Sequence, residues 1–405
     1  MSFVVGVGLS SPDQGNYEFF LDREGGCMRN VVIACGGTGG HLTPGIALAQ
    51  GLEERGYPCW LFISRKSVDA RLAENYPDLS FERVPGAPFL KSPLGLARFA
   101  KGLLASYFYS LRFYRRVGAD ALFGFGGFTS VGPVLAARSR GMPVFLHEAN
   151  RAVGRTVRLL RKRANKLYLP EGVRMEGISA KVVRHLGYPL RREFRRLPRE
   201  RARRNLGVDS TERLLVVLGG SQGAASLNKW VKRKLEALAA EGIGVYCLTG
   251  MGNESSGVIQ MTDPGGATIT MRFVPFSHEM NAVLSAADLV ISRAGAGSIS
   301  EIIRCRTPSI LVPYPYAADD HQALNAAFLE QKGGAIVCPE ERMEEHLLDE
   351  TREVMFNEEF RSILRRNLTA IDPGDVVAQI VADVVADLKE SSTRETVAGA
   401  LPFAG

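Results

Sequence analysis

Cysteine is scarce and unpatterned in this 405-residue chain. The six present (Cys27, Cys35, Cys59, Cys247, Cys305 and Cys338) form no CxxC and no paired spacing. That argues against a disulfide framework or zinc site, and for reduced, buried thiols in a cytoplasmic setting. Other metal patterns are missing too, with no DxD and no HExxH. No Walker lysine follows a glycine loop, which makes a P-loop ATPase a poor reading. Long apolar runs are also absent. No uncharged stretch reaches the ~20 apolar residues of a spanning helix. The uncharged stretch at residues 121–137 is broken by Gly124, Gly126, Gly127, Gly132 and Pro133. No basic region precedes the short apolar run at the N-terminus, so no signal peptide is read. Residues 1–28 are expected to be a mobile extension, with Met28 an alternative start.

What remains is the composition of a soluble globular protein, 45% hydrophobic and 23% charged. The net charge of +7 invites an anionic partner. No nucleic-acid-binding module is recognisable, so nucleic acid is not expected as that partner. Apolar β-rich runs alternate with amphipathic helical runs, which predicts parallel sheets covered by helices. Strands are expected at 31–35, 60–63, 121–123, 144–146 and 166–169, and again at 214–218, 245–248, 289–291 and 309–312. The fold class is therefore α/β, with two Rossmann-like domains facing across a cleft. The expected boundaries are 29–188 for the first domain and 189–375 for the second. A C-terminal helix at 376–389 packs on either half, and residues 390–405 form a mobile tail. Ligands of such sheets lie beyond the carboxyl ends of the strands.

The strongest local signal is the loop Gly36-Gly37-Thr38-Gly39-Gly40-His41 after the first strand. Glycine admits close backbone approach, and a helix start offers unpaired N–H groups and a positive dipole end. Together these seat a phosphate. Thr43 as N-cap and Pro44 as first helical residue predict a helix over 44–55. Leu42 stands where a dinucleotide fingerprint needs glycine, and no acid follows the second strand, so a nicotinamide cofactor is disfavoured. Gly219-Gly220-Ser221-Gln222-Gly223 repeats the phosphate-loop pattern, with helix capping as its plain alternative. Ser298 and Glu301 have capping-box spacing, against which stands a ribose contact from Glu301. Gln322 follows a strand and reads either as a sugar contact or as a solvated loop residue. His147-Glu148-Ala149-Asn150 directly follows another strand.

Residues 91–119 contain no acid. Phe99, Lys101, Leu103, Phe108 and Arg112 exemplify an interleaving of basic, apolar and aromatic residues suited to an anionic membrane. A core helix with a basic solvated face is the plain alternative.

Taken together, residues 36–41, 147–150, 219–224, 295–301 and 321–325 resemble the MurG family of peptidoglycan glycosyltransferases (family 28) over about residues 29–387. The resemblance implies the GT-B fold and transfer of N-acetylglucosamine from its UDP donor to undecaprenyl-diphospho-muramoyl pentapeptide. It also implies inversion, no metal or other cofactor, and a peripheral place on the cytoplasmic membrane face. By position, Thr38, Gly39 and Gly40 would lie at the diphosphates, and Asn150 at the donor sugar. Arg191, Ser221 and Gln222 would serve the UDP side, and the Ser277 backbone would read uracil. Ala296, Gly297, Ser298, Ile299, Ser300 and Glu301 would hold the nucleotide, and Gln322 the sugar hydroxyls. Three positions depart from the family pattern. Tyr188 stands where Gly-Asn-Pro is common, Ala149 where glutamine is common, and His321 precedes Gln322 where many members have two glutamines. The acceptor hydroxyl must lose a proton as it attacks, which suits His41 as general base, with Glu148 in reserve. Another sugar transferase with a different lipid acceptor, a UDP-sugar epimerase, or a UDP-sugar-binding scaffold without turnover are the competing readings.

Overall fold

The computed structural model describes residues 29–37, 39–87, 92–209, 213–220, 223–250 and 256–399. In the first half, β1 (Asn30–Ala34), α1 (Gly39–Glu53), β2 (Cys59–Ile63), α2 (Ser67–Ala73), β3 (Ser80–Arg83) and α3 (Pro93–Val117) follow one another. Then come β4 (Ala119–Gly124), α4 (Val131–Ser139), β5 (Val144–His147), α5 (Arg155–Leu160), β6 (Lys166–Leu169) and β7 (Val183–His185). The strands form a seven-stranded parallel sheet in the order β3-β2-β1-β4-β5-β6-β7.

The second half holds α6 (Arg199–Leu206), β8 (Arg213–Leu218), α7 (Ala225–Ala240), β9 (Ile243–Leu248), β10 (Gly257–Thr262), β11 (Thr268–Val274) and α8 (Met280–Ala286). It continues through β12 (Leu289–Ser292), α9 (Ala296–Cys305), β13 (Ser309–Leu311), α10 (His321–Gln331), β14 (Ile336–Val337), α11 (Met343–Phe356), α12 (Glu358–Ile371) and α13 (Val376–Gly399). Its sheet runs β10-β11-β9-β8-β12-β13-β14, parallel except for the antiparallel β10–β11 edge pair.

Both sheets are buried on two faces, which is why their strands read as continuous apolar runs. Val31 to Ala34 and Leu214 to Val217 are each fully buried. The basic stretch before β8 has a structural use. Arg203, 1% exposed, donates to Asp288 and to the Ala286 carbonyl, tying α6 to the second domain.

The chain crosses between domains twice. The first crossing follows β7; the second follows α12, whose Leu364 and Leu368 belong to the second domain's core. Beyond it α13 packs on the first sheet, burying Val376, Ile380, Val381, Val384 and Leu388 beside α1. Each such side chain contributes ~1.5–3 kcal/mol of gross burial energy. The two crossings touch, because a Cβ on Gly187 would lie 3.0 Å from Pro373.

Several local expectations change. Helix α1 begins at Gly39, not at Pro44. Thr43 is therefore no N-cap; its hydroxyl donates back to the Gly39 carbonyl. Helix α9 begins at Ala296, with Gly295 at the cap position and no side-chain cap bond. Ser298 and Glu301 thus lie inside the helix and form no capping box. Residues 390–399 continue α13 where a mobile tail was expected. The extension at 1–28 and residues 400–405 lie outside the described residues.

Candidate functional site

The carboxyl ends of both sheets face one cleft, and the loops leaving them build the site. After β1, the Cys35 and Gly36 amides both donate to the Phe62 carbonyl. The Gly37 amide donates to Asp69 at 2.8 Å. Asp69 is fully buried, and the same oxygen accepts the Ser64 amide at 3.0 Å and hydroxyl at 2.6 Å. No side chain fits at Gly36, where a Cβ would lie 2.3 Å from the Ser64 nitrogen. Gly37, at φ 115°, holds a backbone that L-residues avoid. Lys66 closes the turn by donating to the Gly37 carbonyl at 2.8 Å. The amides of residues 35–37 are thus committed to folding the loop. Those of Gly39, Gly40 and His41 lie in the first helical turn, whose amides have no intrahelical acceptor. Thr38 lies outside the described residues.

His41 is half-buried beside the β4 loop, where a Cβ on Gly127 would lie 3.3 Å from its Nδ1. Burial lowers its pKa to about 4; Lys66 pushes the same way and Asp69 opposes. The imidazole is therefore neutral at pH 7, with a lone pair to offer. His147, at the end of β5, is buried and bonded through Nε2 to the Gly187 carbonyl at 3.0 Å, and its pKa too is lowered to about 4 by burial. It anchors the first interdomain crossing. Glu148 is buried, and burial raises its pKa. One oxygen accepts the Asn150 amide at 2.9 Å and the other the Gly154 amide at 2.7 Å. Both Glu148 oxygens are committed to shaping the loop.

From the opposite lobe, the β8 loop brings Gly219 and Gly220, where a Cβ on Gly219 would lie 2.1 Å from the Ala224 nitrogen. Ser221 and Gln222 fall outside the described residues. Ser277 follows β11, its hydroxyl accepting the Glu279 amide at 3.2 Å. The β12 loop leads into α9, whose first turn holds Ala296, Gly297 and Ser298, followed by Ile299 and Ser300. Ile299 is buried in the second domain's core, and the Ser300 hydroxyl returns to the Ala296 carbonyl at 2.9 Å. Glu301 lies 3.9 Å from Arg191, and burial raises its pKa to about 7 against the pull of that arginine. Arg191 also donates to Tyr76 of the first domain at 2.6 Å. The Gln322 carbonyl oxygen accepts the Ala294 amide at 3.2 Å and the Tyr314 amide at 3.0 Å, joining the loops after β12 and β13.

The two lobes meet at this point. Asn325 on α10 donates to Asn150 at 3.1 Å and to the Ala294 carbonyl at 3.2 Å, and accepts the Arg151 amide at 3.0 Å. A cavity of ≈ 330 Å³ opens beside it, lined from both lobes by Ala149, Tyr188, Ala296, Ser300 and Asn325. Asp69 and Lys66 escape a reading of the site from sequence, as do the bridging role of Asn325, read only as the end of the 321–325 motif, and the contact role of Tyr188. Asn325 and Tyr188 carry a signal, one as part of a motif and the other as a departure from the family pattern.

On α3, Leu94, Lys101, Leu104, Phe108 and Arg112 share one exposed face, with Leu94 at 62% and Leu104 and Phe108 at 59% exposure. Phe99 and Leu103 are half-buried and lie toward the flank that packs on the domain. Among the described residues, no helix is long and apolar enough to cross a membrane. Nor do three His, Cys, Asp or Glu side chains converge there as metal ligands.

Comparison with known proteins matches residues 31–169 to the glycosyltransferase family 28 N-terminal domain and residues 214–370 to its C-terminal domain. A UDP-N-acetylglucosamine–N-acetylmuramyl-(pentapeptide) pyrophosphoryl-undecaprenol N-acetylglucosamine transferase of Opitutus terrae is 46% identical, covering 88% of this chain and 94% of the relative. A transferase of the same name from Methylococcus capsulatus is 34% identical, covering 87% and 98%. Among solved structures, Acinetobacter baumannii MurG superposes with a TM-score of 0.66 at 24% identity, covering 89% of this chain and 99% of that one. The calicheamicin glycosyltransferase CalG4 gives 0.64 at 15% identity, covering 89% and 98%. These likenesses carry the two-domain GT-B fold.

Proposed function

The chain belongs to glycosyltransferase family 28, and on that premise we propose that it transfers N-acetylglucosamine from UDP-N-acetylglucosamine to undecaprenyl-diphospho-N-acetylmuramoyl pentapeptide. One observation carries the reading. The helix starts of α1 and α9, from opposite lobes, are brought against one linker residue and so converge on one cleft. Each offers amide donors and a dipole end suited to a diphosphate.

The donor is assigned to the second lobe. Its diphosphate takes the first turn of α9 and the loop at Gly219 and Gly220. Glu301 accepts from the ribose diol, and the Ser277 backbone meets uracil. Asn150 and Gln322 orient the sugar. The acceptor diphosphate takes the Gly39 and Gly40 amides. The acceptor 4-hydroxyl then attacks the anomeric carbon from the face opposite UDP. The new C–O bond forms as the bond to UDP breaks, the hydroxyl proton passes to His41, and the anomeric centre inverts. With its pKa lowered by burial, His41 alone is a weak base. Two anionic diphosphates beside it raise its proton affinity when the substrates are bound. The leaving diphosphate is stabilised by amides and helix dipoles, so no divalent cation is required.

The exposed apolar and basic face of α3 rests on anionic lipid, placing the cleft where a lipid-linked acceptor lies. The deciding experiment follows radiolabel from UDP-N-acetylglucosamine into a muramoyl-diphospho-prenyl acceptor, with and without chelator. Lipid-linked label that persists with chelator is expected. Absence of transfer removes the proposal, and loss on chelation removes its metal-independent form.

A further inference from the structure

The first interdomain crossing carries a buried aromatic that the proposed chemistry leaves unused. Tyr188 is 7% exposed, and its hydroxyl donates to the Gly40 carbonyl in a long hydrogen bond of 3.4 Å. Pro44 explains why that carbonyl needs a donor. It stands four residues further along α1 and has no N–H to close the helical bond. On its other side the tyrosine abuts α9. A Cβ on Gly297 would lie 3.1 Å from the hydroxyl and 3.4 Å from the ring carbon that bears it. One stiff side chain therefore touches the first turns of two helices from opposite lobes.

We infer that Tyr188 is a positioning residue that sets the spacing between the N-termini of α1 and α9. On the function proposed above, on which this inference rests, that spacing fixes His41 and the acceptor against the anomeric carbon of the donor. Displacing reacting groups by an ångström costs as much as ~10²-fold in rate. A missing hydroxyl at the centre of the spacer is felt in turnover before it is felt in folding. Gly297 belongs to the same device, since its bare α-carbon makes room for the hydroxyl.

Tyr188→Phe keeps the ring and removes the hydroxyl's bond to α1. Its kcat is expected to fall about tenfold, while UDP affinity, a property of the second lobe, stays within about twofold. Gly297→Ala is expected to be costly alone and much less so in the Tyr188→Phe background, where the oxygen it would strike is gone. A residue that merely fills space would lower the melting temperature of Tyr188→Phe and leave its kcat unchanged. That result, or strict additivity with Gly297→Ala, overturns the inference. A readout independent of turnover separates it from the proposed reaction. Spin labels at Arg115→Cys and Glu236→Cys, exposed positions on opposite lobes, are placed in a Cys27→Ser protein whose other cysteines are buried. Their distance distribution should broaden in Tyr188→Phe. An unchanged distribution sinks the spacer role even if transfer is observed. Inactivity of the unaltered enzyme sinks the reaction while leaving the distances to judge the spacer.

Discussion

Asn325 reaches across the cleft to Asn150, donating its side-chain amide to the Asn150 carbonyl oxygen at 3.1 Å. Asn150 in turn donates to Glu148 at 3.2 Å, so both ends of its amide are held. A residue proposed for the donor sugar is thereby oriented by one group from each lobe. Asn325→Ala strands the Arg151 amide and the Ala294 carbonyl, at ~1–3 kcal/mol for each buried group left unpaired. The melting temperature should drop and KM for UDP-N-acetylglucosamine should rise. Asn325→Asp should be worse, because a carboxylate would face two carbonyl oxygens. Equal kinetics for the two variants and the parent would remove the orienting role.

His41 invites a comparison of Ala and Gln in its place. Turnover should fall by ~10²–10⁴, the usual worth of a general base. Survival within about tenfold in both variants rules the base role out. The pH profile supplies an independent check. With a pKa of about 4, His41 should add its own loss of kcat/KM as pH falls through about 4, where the imidazole gains a proton, well below the change set by Glu301. The acid limb of kcat should lie higher, since bound diphosphates favour the protonated ring. Identical limbs would contradict the coupling to substrate charge.

His147 makes a prediction about stability. Its folded pKa of about 4 is below the 6.5 of an exposed imidazole, so between those values the unfolded chain binds the extra proton. Stability is therefore fully present above pH 6.5 and declines toward pH 4. The loss is ~3 kcal/mol from this group at 1.36 kcal/mol per unit. His147→Asn should flatten that part of a denaturant-midpoint curve. A slope unchanged by the substitution would assign the acid lability elsewhere.

Burial raises the Glu301 pKa to about 7, against the pull of Arg191. A protonated carboxyl is a poorer acceptor for a diol. UDP should bind more tightly as pH rises from 6 to 8, and Glu301→Gln should abolish that trend. Calorimetric titration reads both. If Glu301→Ala lowers the melting temperature yet leaves UDP affinity intact, the ribose contact is lost as an explanation.

The α3 face is tested by Leu104→Ser with Phe108→Ser, both on its exposed side. The pair should release the protein from anionic vesicles with little change in melting temperature. Unchanged co-sedimentation would end the lipid-surface reading.

Parallel strands buried on both faces announce themselves as apolar runs, so the main strands of both lobes are legible in the sequence. Short edge strands are not. β7 and β14 have three and two residues, and β10 is largely exposed, so none presents a sustained pattern. The start of α1 is misread because Thr43-Pro44 makes a plausible helix opening. The glycines before it carry no helical propensity of their own, and tertiary pinning by Asp69 and Tyr188 decides the boundary. The glycine loops and His41 are legible because phosphate seats need special backbone. Asp69 is not, since a lone Asp on a helix signals nothing until the fold brings it to its partners, and Asn325 is legible only as the end of the 321–325 motif, its bridge to Asn150 being made by the fold.

The contact of Gly187 with Pro373 joins the only two covalent passages between the lobes among the described residues. Two adjacent tethers define an axis, much as paired pins confine a jaw. Rotation about the line through them is the soft motion, while sliding or twisting of one half over the other is resisted. Opening must therefore be smallest near the tethers and largest at the far lip. Entry of the soluble nucleotide and departure of a bulky lipid product can then share one gape without loosening the floor on which the sugar changes hands.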